Sequence, residues 1–95
     1  MLFQVSNRPR GGTAEQEQIL AIFDRWEAPA GFEFKGFWIR ADGGVLAVVE
    51  VESAEVLLKA VAPWAGSLQD YEFMPLVEVD RGVELMKEGI AFRNA

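Results

Sequence analysis

The chain has 95 residues, half of them hydrophobic and a quarter charged, with a formal net charge of −6 and neither cysteine nor histidine. That length makes one domain, residues 1–95, which buries only about 63–65% of its extended surface on folding, so a second copy would add stability. Without Cys or His, disulfides, thiol nucleophiles, structural zinc and histidine acid–base catalysis are excluded, and the acidic balance argues against nucleic acid, which needs clustered Lys and Arg.

The opening MLFQVSNRPR carries no long apolar run behind a basic segment, and nowhere do ~18 apolar residues follow one another. No signal peptide, no membrane partner and a cytoplasmic location are therefore expected. Leu2 to Asn7 alternates with a period of two, Phe3 and Val5 on one side and Leu2, Gln4 and Ser6 on the other, the pattern of a half-buried strand. Arg8-Pro9-Arg10-Gly11-Gly12 ends it and lacks the spacing of a phosphate loop. Thr13 and Gln16 fit a capping box, and the helix that follows to about Glu27 has Ile19, Ile22, Phe23 and Trp26 in one apolar stripe. Ala28-Pro29-Ala30-Gly31 stops it.

The stretch from Phe32 to Glu52 predicts two strands joined at Asp42-Gly43-Gly44, residues that accept the positive φ of a tight hairpin. Ser53 then caps a second helix, in which Leu57, Ala60, Val61 and Trp64 share a face before Pro63 to Gly66 breaks it. Asp70 to Val79 predicts a fourth strand, with an edge or a bulge at Pro75. Asp80 caps a short final helix with Val83, Met86 and Ile90 on one face, weakened by Gly82 and Gly89. The tail from Phe92 is frayed.

This order is an α+β pattern, the ferredoxin-like βαββαβ plan: an antiparallel four-stranded sheet with two helices on one face, plus a short C-terminal helix. The open face would carry Leu2, Gln4 and Ser6, then Leu46, Val48 and Glu50, then Glu72, Met74 and Leu76. That mixture is too apolar for water and too polar for a dry core. Pairing two such faces in a homodimer buries the aliphatics and leaves a partly polar cavity, suited to a small apolar or aromatic ligand.

Four residues are candidates to line it. Glu50 interrupts the aliphatic run Val45 to Val51, and a carboxylate held from water is a candidate catalytic base; the plainer alternative is a strand-end pair with Lys35. Trp38 and Arg40 share a strand face and offer an indole for stacking and a guanidinium for a carboxylate. A two-residue turn puts Trp38 beside Ala47 under the helices, whereas one extra residue brings it beside Val48 and Glu50 on the open face. Tyr71, the only tyrosine, opens the last strand and is either a ligand donor or a rim contact. Trp26 and Trp64 fall at helix ends as core anchors. Glu17, Asp24 and Glu27 form no metal cluster, and no cofactor is implied.

Several short motifs together, MLFQV, Trp26 to Gly31, Trp38 with Asp42-Gly43, Glu50 before Ser53-Ala54, Ala62-Pro63-Trp64 and Phe73-Met74-Pro75, resemble those of a family of short, uncharacterised bacterial proteins. That family lies in the dimeric α/β-barrel, ferredoxin-like superfamily, and the resemblance covers residues 1 to about 90. It implies the fold and the dimer, and it favours Trp38 on the open face. The superfamily includes heme-degrading and quinone-forming monooxygenases and ligand sensors; relatives carry a histidine near Trp38 that this chain lacks, so a histidine-dependent activity does not transfer. The leading expectation is a homodimeric small-molecule-binding protein with its cavity on the open sheet face. The alternatives are a cofactor-independent monooxygenase-like or isomerase-like enzyme acting on an aromatic or quinone-like compound with Glu50 as base, and a protein-interaction module using the open face.

Overall fold

Alternating apolar strands and two amphipathic helices assemble as the order of elements requires. The computed structural model describes residues 1–95. Its elements are β1 (Leu2–Pro9), α1 (Thr13–Arg25), β2 (Phe32–Ile39), β3 (Val45–Val51), α2 (Ala54–Val61), β4 (Gln69–Leu76) and α3 (Val79–Arg93). The strands make one antiparallel sheet in the order β2-β3-β1-β4, which is the ferredoxin-like α+β plan. Inward-facing Val5, Ala47, Val49 and Val51 meet Leu57 of α2 to form the buried core. The outward positions are those expected: Leu2, Gln4 and Ser6 stand opposite Glu50, Val48 and Leu46 on one side and Leu76, Met74 and Glu72 on the other.

The hairpin register resolves the alternatives for Trp38. Ile39 pairs with Val45, so Arg40 to Gly44 form the connection, and Trp38 lies opposite Leu46 on the open face. Within β2 a bulge between Phe34 and Gly36 leaves Lys35 unpaired in the ladder. The extra residue changes the phase, so Phe32, Phe34, Phe37 and Ile39 all point toward the helices. Lys35 does not reach Glu50: it pairs with Glu33 at 3.3 Å, and the Met1 amino group takes Glu50 at 2.7 Å.

Helix ends follow the sequence in part. Ser53 caps α2, its Oγ accepting the Val56 amide at 3.3 Å. Thr13 is already the first helical residue of α1, so Gly12 takes the cap position, and Glu15 rather than Gln16 accepts the Gly12 amide at 2.9 Å. β4 begins at Gln69 and ends at Leu76, with Pro75 on an edge strand, where sheets tolerate proline. The last helix is not short: α3 runs 15 residues from Val79, with Glu78 and not Asp80 before it, and continues through both glycines to Arg93. Glu84, Leu85, Met86, Lys87 and Glu88 between the glycines are strong helix formers and offset their cost.

No residue of α3 is buried, and Val79, Val83, Met86 and Ile90 remain exposed along one stripe. The helix projects from the body, giving extents of 57 × 28 × 20 Å and a radius of gyration of 16.6 Å. A compact chain of this length has about 12 Å.

Gly44 is buried at the hairpin, and an added Cβ would overlap the backbone carbonyl of Asn7. Gly44→Ala is expected to lose about 1–3 kcal/mol in chemical denaturation, the usual range for forced overpacking. At Gly36 the same addition meets only the far edge of the exposed Trp38 indole, which can swing aside. Gly36→Ala should therefore cost less than Gly44→Ala; equal losses would show that the indole is pinned.

Candidate functional site

The aromatic side chains of α1 and β2 do not fill the space they enclose. Between the inward face of the sheet and the helices lies a cavity of about 400 Å³, and 16 of its 21 lining residues are hydrophobic. Val5, Val45, Ala47 and Val49 form the floor, Phe34 and Phe37 a wall, and Ile19, Leu20 and Phe23 of α1 the roof. Phe34 and Phe37 stack with centroids 4.5 Å apart, and Phe23 meets the edge of Phe37 at 5.9 Å. Leu20, Phe23 and Ile39 are exposed, so the cavity opens along the seam between α1 and β2.

Two indoles set the height of the roof. Trp26, just after α1, donates from Nε1 to the carbonyl of Ala60 in α2 at 3.1 Å. Trp64, just after α2, donates in return to the carbonyl of Ile19 in α1 at 3.2 Å. Their rings lie 5.8 Å apart. Both are the helix-end anchors expected, Trp64 buried and Trp26 half-buried.

At the hairpin end the lining turns polar. Asn7 and Gln69 are 4% and 3% exposed and sit on the cavity with Tyr71. Asn7 faces Val45 on one neighbouring strand and Tyr71 on the other, and its Oδ1 accepts the Val45 amide at 2.9 Å. The Tyr71 hydroxyl donates to Gln69 Oε1 at 2.8 Å. Burial pushes the Tyr71 phenol up to about 12, partly offset by a hydrogen bond from the Asn7 side chain. The phenol is thus neutral near pH 7, and no Asp, Glu, Lys or Arg lines the cavity.

Of the four residues singled out from the sequence, Tyr71 lies in this cavity and the other three do not. Trp38 and Glu50 are on the opposite face, four residues apart in register, or ~13 Å along the strand. Arg40 belongs to the turn, bonded to Asp42 Oδ2 at 2.9 Å and to the Asn7 carbonyl at 3.4 Å. Among the lining residues not anticipated are Asn7, Gln69, Gln16, Phe34 and Phe37. Asn7 had a signal, since it continues the inward phase of Phe3 and Val5; Gln69 falls in phase with Tyr71 but precedes the expected start of its strand. No group of three or more acidic side chains converges to hold a metal ion, and no helix is long and apolar enough to cross a membrane.

Sheet, paired crossover helices and enclosed space define the class: a ferredoxin-like α+β domain, open on one sheet face and hollow beneath the helices on the other. Residues 1–90 match the family described as a domain of unknown function, DUF3303, and the chain belongs to that family. No curated protein and no solved structure matches it.

The Tyr71 phenol gives the site a pH signature. Unfolded, it ionises near 10; folded, it keeps its proton to about 12. Across that window the unfolded chain has lost a proton that the folded one retains, so stability falls as pH rises through it and is unaffected below. Urea midpoints measured between about pH 9 and about pH 11.5 should fall more steeply for the wild type than for Tyr71→Phe. Parallel slopes would mean that the phenol sits in water.

Proposed function

We propose that this protein is a homodimeric small-molecule-binding protein whose ligand occupies the cavity between α1 and the sheet. The open sheet face pairs with a second copy. The cavity carries the reading. Its volume lies in the range of ligand sites. It is open along the seam between α1 and β2, so an occupant can enter and displace water from its apolar walls. Walls this apolar hold water poorly, so a hydrophobic occupant is the natural filling.

In this reading the ligand lies on the helix side of the sheet, not on the open face, and Tyr71 alone of the four expected residues touches it. Trp38 joins Leu46, Val48, Met74 and Leu76 on the pairing face, an uncovered apolar surface of the kind that marks association. An enzyme with Glu50 as base has less support, because that carboxylate faces away from the cavity and engages the Met1 amino group. The same uncovered face supports a second reading, a module that docks a different protein.

A native mass spectrum of protein purified without added ligand is expected at twice 10.6 kDa with a small adduct. Val48→Lys, which puts a charge at the centre of the face, should yield the monomer. A wild-type monomer at micromolar concentration would move the docking module to the front. For the cavity, the neutral fluorophore N-phenylnaphthylamine should bind once per chain, and Ala47→Leu, growing from the floor, should weaken it about tenfold with the circular dichroism spectrum unchanged. Equal affinity in the variant would place the probe elsewhere.

A further inference from the structure

Apart from Gln16 at its exposed rim, the cavity is apolar except at one buried corner, and the hydrogen bonds of that corner have a direction. Asn7 Oδ1 is committed to the Val45 amide, so its NH2 group is turned toward Tyr71. The Tyr71 hydroxyl spends its proton on Gln69 Oε1. The acceptor oxygen of each amide in that buried corner is thereby used, and the donor left there is the NH2 of Gln69. Gln69 is 3% exposed and lines the cavity, and its Nε2 makes no hydrogen bond within the protein. No side-chain polar atom is sealed away without a partner, so this NH2 group keeps accessible surface, and the cavity is what Gln69 lines. A donor held there is incomplete until an acceptor reaches it.

We propose, resting on the reading that the cavity binds a small molecule, that its ligand is a neutral, planar, largely apolar compound with a carbonyl oxygen, which accepts a hydrogen bond from Gln69 Nε2. The rest of the lining selects the remaining features. No cation faces the cavity, so a carboxylate would leave water without a countercharge. The stacked Phe34–Phe37 pair and the edge of Phe23 offer flat surfaces to an aromatic ring. Tyr71 and Asn7 act as positioning residues: they fix which end of the Gln69 amide faces the ligand. A phenol that stays protonated well above neutrality keeps that orientation throughout the physiological range.

Three probes with the same ring substituted at the same position separate the possibilities: methyl naphthyl ketone, ethylnaphthalene and naphthoate, each titrated by calorimetry and equilibrium dialysis. The ketone should bind about threefold or more tighter than the ethyl compound of similar shape, the net worth of one neutral hydrogen bond. Naphthoate should be the weakest, by about tenfold or more relative to the ketone. Gln69→Met, which keeps the length of the side chain and removes the donor, should erase the ketone's advantage without loss of ethylnaphthalene binding. If that variant does not fold, the wild-type ranking decides alone. Ethylnaphthalene equal to or tighter than the ketone, or naphthoate tightest, overturns the proposal and leaves the binding cavity standing. Failure of all three probes overturns the cavity as a binding site, and this proposal with it.

Discussion

Between Phe34 and Gly36 the ladder of β2 skips a residue, and the composition of both sheet faces follows from that step. Were the strand regular, Gly36 and Trp38 would follow Phe32 and Phe34 inward, and Phe37 and Ile39 would face outward. The cavity would lose its stacked wall, since Phe37 could not meet Phe34 and Phe23 from the other side of the sheet. The open face would also lose its indole, which now folds over the bare Cα of Gly36. A bulge costs ladder pairing at one position. Here it brings Phe37 and Ile39 to the side of Phe32 and Phe34, where strict alternation would have placed Gly36 and Trp38.

The two helices are held very differently, and the hollow depends on the difference. α2 buries Leu57, Ala60 and Val61 against the sheet, whereas no residue of α1 is buried. What keeps α1 in place is the aromatic contact along its inner stripe and the reciprocal indole bonds at Trp26 and Trp64, both anchored on backbone carbonyls of the opposite helix. Indoles are long enough to tie the helices together without drawing α1 down onto the floor. Local stability follows buried contact, so α1 is the wall that opens most readily, while floor and polar corner are fixed by strand pairing.

The topology, the outward face of the sheet, the Ser53 cap and the two indole anchors were legible because each rests on local periodicity or on a residue type with one strong preference. The phase of Trp38 was not, because alternation is blind to an inserted residue and register is decided by pairing with β3. Lys35 falls opposite Glu50 only with a two-residue turn and no bulge; the longer connection and the bulge each shift the ladder by one residue and bring Glu33 there instead. The polar corner was hidden more deeply. Asn7 and Tyr71 become neighbours only through the pairing of β1 with β4, and Gln69 reads as loop until that pairing extends the strand to it. Tyr71 was found on its chemistry alone, and its face was not. The glycines of α3 suggested a short helix, although the residues between them carry it to Arg93.

Charge sets the terms on which a second copy can approach. Each chain carries a net charge of −6, so two copies repel at long range. On the open face Glu33 and Glu50 stand directly opposite one another, an unfavourable pair relieved by Lys35 on one carboxylate and the Met1 amino group on the other. Attraction between two such faces has to come from Leu46, Val48 and their neighbours on the central strands, with carboxylates kept where water still reaches them. The register has that form: Glu50 lies near a strand end, Glu72 lies on edge strand β4, and Val48 and Gln4 occupy the middle. Salt screens the repulsion over roughly 8–10 Å and leaves the apolar contact untouched. A dimer built this way therefore tightens with ionic strength, the reverse of one held by ion pairs, while the uncharged cavity on the opposite face is indifferent to it.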